Sequence, residues 1–228
     1  MWRAFTLLFL FAGLSPHAVA AELSDIETRW LRGIWPVVTF AREQGLPLDI
    51  VVQPQNTAGA APLALGFVAG RCKLVLSMRG NEEAQATLAR IEPELLGPTL
   101  ELMAAHELGH CRRYLDGAWH GLPAGFSAGV ADGLSPSLRA AYLDMKAARR
   151  EEGYGDLVGL AWARQRHPAH YPRLHAWLTA ERAHDLVAGS PHDTLAWVSV
   201  AGDGALLAGA PMFEAAALLW RLALVEAD

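Results

Sequence analysis

Residues 97–117 read GPTLELMAAHELGHCRRYLDG, and the way this stretch folds organises the rest of the chain. Proline is tolerated in the first turn of a helix, so Gly97-Pro98 marks a start. Leu100, Leu102, Met103, Ala104 and Ala105 continue the helix, no further proline interrupts it, and Gly117 supplies a stop. His106-Glu107-Leu108-Gly109-His110 therefore lies inside a helix. Positions i and i+4 share a helix face, so both imidazoles can converge on one Zn²⁺ at about 2.0–2.1 Å. Glu107 directly follows the first histidine, where a carboxylate can act as base toward a metal-bound water. The plainer reading is two ordinary surface histidines. The helical setting, the uncharged Leu108 and Gly109, and an export signal described below weigh against it.

Outward from this helix, Asn81 caps a helix over Glu82–Ile91, whose first turn carries two glutamates that favour the helix dipole. Ser135-Pro136 opens another through Glu152, and helical patterns continue to the end, broken near His167-Pro168 and Gly189–Pro191. Trp162, Trp177, Trp197 and Trp220 fall at helical positions and read as packing residues. Upstream, Glu22–Gln44 places Ile26, Trp30, Ile34, Val37 and Val38 near one face, with Ser24 or Asp25 as cap. Pro36 inside it predicts a kink or break. Leu48–Gln53, Leu65–Val68 and Cys72–Ser77 read as short strands, with Gly70-Arg71 as a hairpin turn. The expected class is α+β, mostly helical, with a small antiparallel sheet, in a single domain over residues 21–228. Gly121–Gly133 reads as a mobile loop, a lid over a cleft being one role for it.

The first twenty residues, MWRAFTLLFLFAGLSPHAVA, join Arg3, an apolar run of about ten residues and an Ala18-Val19-Ala20 ending. These are the parts of a signal peptide cleaved after Ala20, and the run is too short to span a bilayer. They predict a periplasmic or secreted protein with no stable membrane span after cleavage. A chain with 52% hydrophobic and 19% charged residues is no disordered segment, and a net charge of −5 makes it a poor nucleic-acid binder. The two cysteines, Cys72 and Cys111, are expected to pair in an oxidising compartment; two buried free thiols are the alternative. The oligomeric state stays open.

A catalytic Zn²⁺ usually has three protein ligands. After His110 the chain reads CRRYLD, without the further histidine of the metzincin pattern. Glu152-Gly153-Tyr154-Gly155-Asp156 resembles instead the Glu-x-x-x-Asp helix of the gluzincin metallopeptidases, and most closely their heat-shock and prenyl-protein peptidase branch. The resemblance covers mainly residues 72–160 and rests on two motifs. It implies a zincin-like domain, one Zn²⁺ held by His106, His110 and Glu152, and Asp156 orienting a ligand histidine. Glu151 is the competing ligand; Glu152 is favoured because only it has an aspartate one turn on. The chain departs from the family in carrying Gly153 and Gly155 where alanine is usual, which questions the regularity of the helix. It also lacks the branch's membrane spans.

The resemblance further implies an extended substrate held along an edge strand beside the metal helix, a role given to Cys72–Met78 with Leu74, Val75 and Leu76 at its centre. An ordinary core strand is the alternative. An oxyanion donor is expected among Tyr154, His184 and His192, with His192 taken as catalytic beside Glu107 because downstream histidines fill this role in several gluzincins. His167, His170 and His175 read as solvated loop histidines. The expected activity is exported, zinc-dependent endopeptidase cleavage of protein or peptide through a zinc-bound water activated by Glu107. Cleavage of peptidoglycan cross-bridges and a non-enzymatic, zinc-stabilised periplasmic assembly role are the alternatives.

Overall fold

The computed structural model describes residues 22–227 apart from Asn56, Ala58, residues 128–132 and Asp185, so the expected signal peptide and part of the Gly121–Gly133 loop lie outside the described residues. Helix α1 (Asp25–Glu43) opens with a capping box, in which the Glu27 amide donates to Ser24 Oγ and the Ser24 amide to Glu27 Oε2. It runs through Pro36 without the break that the proline allowed. Ile34, Val37 and Val38 are buried on either side of the proline and hold the helix to the core, where tertiary packing outweighs local propensity.

Strands β1 (Leu48–Pro54), β2 (Leu63–Val68) and β3 (Arg71–Arg79) form one sheet in the order β1-β3-β2. β2 and β3 make the expected antiparallel hairpin, turning at Ala69-Gly70, both with positive φ, one residue before the expected turn. β1 pairs parallel to β3, because β2 is the return leg between them. The sheet is therefore mixed where an antiparallel one was expected, and its central strand is β3. Leu74, Leu76 and Met78 of β3 are buried in the core.

The chain continues through α2 (Glu82–Ala89), capped by Asn81, a 3₁₀ turn at Pro93–Leu95, and α3 (Leu96–Leu115), which carries the histidine motif. Then follow α4 (Pro136–Arg166), α5 (Tyr171–Ala183), α6 (Leu195–Val200), α7 (Ala205–Ala208) and α8 (Met212–Ala227). The fold is thus mostly helical with a small sheet. α4 does not end near Glu152 but runs regularly for 31 residues through its glycines. A Cβ on Gly153 would lie 2.5 Å from the Trp197 ring, one on Gly155 2.8 Å from the His106 ring, and one on Gly159 2.8 Å from the Leu102 carbonyl. Each glycine weakens an isolated helix by about 1 kcal/mol, and here each permits a close approach that a side chain would block. Gly109 of α3 faces the same contact, against Val158 and Gly155.

Cys72 and Cys111 form a buried disulfide, as expected, between β3 and α3. Its separation of 39 residues corresponds to about 4 kcal/mol of loop-closure entropy removed from the unfolded chain. Trp162, Trp197 and Trp220 are core residues, while Trp177 is only partly buried. No helix among the described residues is long and apolar enough to cross a membrane.

Candidate metal centre

His106 and His110 project from one face of α3, and Glu152 reaches the same point from α4. His106 Nε2 lies 3.0 Å from His110 Nε2 and 3.3 Å from Glu152 Oε2, and His110 Nε2 lies 3.4 Å from Glu152 Oε1. Among the described residues this is the one group of three or more His, Cys, Asp or Glu side chains whose ligand atoms all fall within 4.8 Å of each other, and it could hold a metal ion. Both histidines are buried, and Glu152 is partly exposed to a cleft of about 950 Å³.

Asp156 lies one turn beyond Glu152 on the same face of α4 and is fully buried. Its Oδ1 accepts from His106 Nδ1 at 2.9 Å and from Arg182 Nη2 at 2.5 Å; its Oδ2 accepts from Arg182 Nε at 2.8 Å and from Thr194 Oγ1 at 2.5 Å. Burial alone would raise the Asp156 pKa, but the Arg182 charge and these hydrogen bonds hold it well below the usual carboxylate range. An ionised carboxylate only accepts, so His106 Nδ1 carries a proton, and in the neutral form of the ring Nε2 is left as the lone-pair nitrogen. This is the orientation a metal needs.

The electrostatics favour a cation. Burial disfavours the charged form of His106, yet hydrogen bonds and charges from Asp156 and Glu152 prevail and push its pKa up to about 10. Glu152 is lowered against burial by the two histidines, whereas burial raises Glu107. The carboxylates of Glu152 and Asp156 thus make the space around His106 attractive to positive charge.

Comparison with protein-family models, curated proteins and solved structures returned no match. The site is therefore read from its own geometry.

Glu107 lines the cleft beside the two histidines. Glu151, the competing ligand, is 1% exposed and points elsewhere: both its oxygens accept from Arg113, and Oε1 also accepts from the His120 amide. His192 stands exposed at the cleft rim with Nε2 3.7 Å from Glu152 Oε2, and His184 also lines the cleft. Tyr154 does not; it is buried with its hydroxyl donating to the Phe213 carbonyl. His167 is not a free loop histidine but pairs with Glu101, and His175 with the Val198 carbonyl.

The strand expected to hold substrate is not an edge strand. Leu74, Val75 and Leu76 lie in β3, whose backbone is paired to β1 on one side and to β2 on the other, so it has no edge to offer. The strand bordering the cleft is β2, through Leu63, Ala64 and Leu65. Sequence reasoning also missed Arg182, Thr194 and Trp119. Arg182 and Thr194 reach Asp156 across 26 and 38 residues, a link no local pattern encodes.

Proposed function

We propose that the chain is an exported zinc-dependent endopeptidase. The observation that carries this reading is the convergence of His106, His110 and Glu152 on one point of a peptide-sized cleft, with Glu107 beside them. Tetrahedral bonds of about 2.0–2.1 Å set ligand atoms about 3.3 Å apart, close to the 3.0, 3.3 and 3.4 Å found here. Two imidazoles and one carboxylate suit zinc better than calcium or magnesium, which take oxygen ligands.

Held there, zinc would supply Lewis acidity to a peptide carbonyl and acidify a water. Glu107 accepts the proton of the attacking water and returns it to the leaving amine. His192 and Arg182 border the same space and supply N–H donors for the developing oxyanion. The free edge of β2 can pair with an extended substrate backbone, which needs little sequence recognition. The disulfide and the signal-like N-terminus support an oxidising, extracytoplasmic setting.

The test is Glu107→Gln, assayed for zinc content and for cleavage of casein and purified peptidoglycan side by side. Retained zinc with cleavage abolished is the expected result, together with zinc loss in Glu152→Ala. Undiminished cleavage by Glu107→Gln overturns the mechanism. Digestion of peptidoglycan but not casein moves the substrate to cell-wall cross-bridges.

A further inference from the structure

His106 and His110 are held in different ways. Asp156 fixes His106 through its second ring nitrogen. His110 is 5% exposed, and its Nδ1 is buried with no hydrogen-bond partner among the described residues. An imidazole without that bond keeps its ring angle only if neighbours confine it.

We propose that Trp119 is the positioning residue for His110, doing by ring packing what Asp156 does for His106 by hydrogen bonding. The proposal rests on reading His106, His110 and Glu152 as the metal site. The Trp119 ring meets the His110 ring nearly perpendicularly, at 5.5 Å and 83°. His106 meets His110 at 4.6 Å and 90°, so the imidazole is confined by two crossed rings.

Trp119 is itself fixed. Its ring stacks on Tyr114 at 4.0 Å and on His120 at 5.1 Å, and Tyr114 stacks in turn on Phe67 of β2. The backbone that delivers it is equally determined. Gly117 and His120 both have positive φ, turning the chain back over the end of α3. A non-glycine residue in that region persists where its surroundings over-determine it. Here the His120 amide donates to Glu151 at 2.8 Å, and Arg113, paired with the same carboxylate, donates to the Gly121 carbonyl. Glu151 is thus no ligand but the anchor of the segment that carries Trp119.

Trp119 also lines the cleft, so contact with a substrate side chain is the competing role. The experiment measures zinc affinity of the folded full-length protein by chelator competition, together with the absorption spectrum of the Co²⁺-substituted protein. Removing a group that orients a metal ligand typically lowers affinity by about 10–100-fold. Trp119→Ala should fall in that range, with an altered Co²⁺ spectrum, and Trp119→Phe should recover most of the loss. The metal-free melting temperature should stay close to wild type, since Trp119 is only half-buried. If Trp119→Ala fails to fold by circular dichroism, Trp119→Leu, which keeps bulk without a ring, takes its place with the same expected loss.

Unchanged zinc affinity and Co²⁺ spectrum overturn the proposal, and a rise in peptide KM alone assigns Trp119 to substrate. A wild-type protein that binds zinc but cleaves no peptide overturns the peptidase reading and leaves this one intact. A wild-type protein that binds no zinc overturns both.

Discussion

His106 and His110 sit one turn apart on α3, yet their surroundings have little in common. On the His106 side, a fully buried aspartate gathers an imidazole, a guanidinium and a hydroxyl from three different elements or loops. On the His110 side the second ring nitrogen, Nδ1, has no hydrogen-bond partner among the described residues, and the ring is held by aromatic packing, with a disulfide at the very next residue, Cys111. One side is an electrostatic hub whose members are costly to bury singly. The other is a mechanical clamp with a covalent fastening. Two histidines of one candidate metal centre are thus oriented by two different devices, which respond to different perturbations.

The largest expected effect lies on the clamped side. Replacing Cys72 and Cys111 together by serine should lower unfolding stability by about 4 kcal/mol, the loop-closure value for 39 residues, read by urea denaturation. A much smaller loss would show that packing alone holds His110. Next comes Asp156→Asn on the hub side. It removes the closest counter-charge of Arg182, leaving only Glu152 at 3.8 Å, a change that costs about 3 kcal/mol, and denaturation with and without zinc should show both the loss and a weaker stabilisation by metal. Wild-type stability in that variant would dissolve the contrast between the two sides. The smallest effect is Gly155→Ala. Helix propensity alone predicts a gain of about 1 kcal/mol, but a methyl group 2.8 Å from the His106 ring predicts a net loss of about 1 kcal/mol and reduced zinc affinity. A gain in stability at unchanged affinity would mean that His106 has room to move.

Local patterns were legible in the sequence wherever one element sufficed. Ser24 and Asn81 cap the helices that follow them, and His106 and His110 share a face because of helical pitch. The pairing of Glu152 with Asp156 was legible for the same reason, since a spacing of four keeps both on one side of α4. Errors arose where an element's role depends on its neighbours. Cys72–Ser77 reads equally well as an edge or a central strand, because alternation describes faces and not pairing partners; β2 beside it removes its free edge. Pro36, Gly153 and Gly155 read as weak points in helices, but their cost is set against core packing, which local propensity does not include.

By itself the sequence determined the helix that carries His106, Glu107 and His110, the spacing that puts Glu152 and Asp156 on one helix face, and the cysteines available to pair. Those follow from backbone pitch and side-chain chemistry within a few residues. Only the tertiary structure decided that Glu151 turns away to Arg113 and His120, that Arg182 and Thr194 complete the aspartate hub, that β2 borders the cleft, and that Trp119 lies against His110. These contacts join segments that chain folding brings together, and their energies depend on burial and distance, which no linear spacing records.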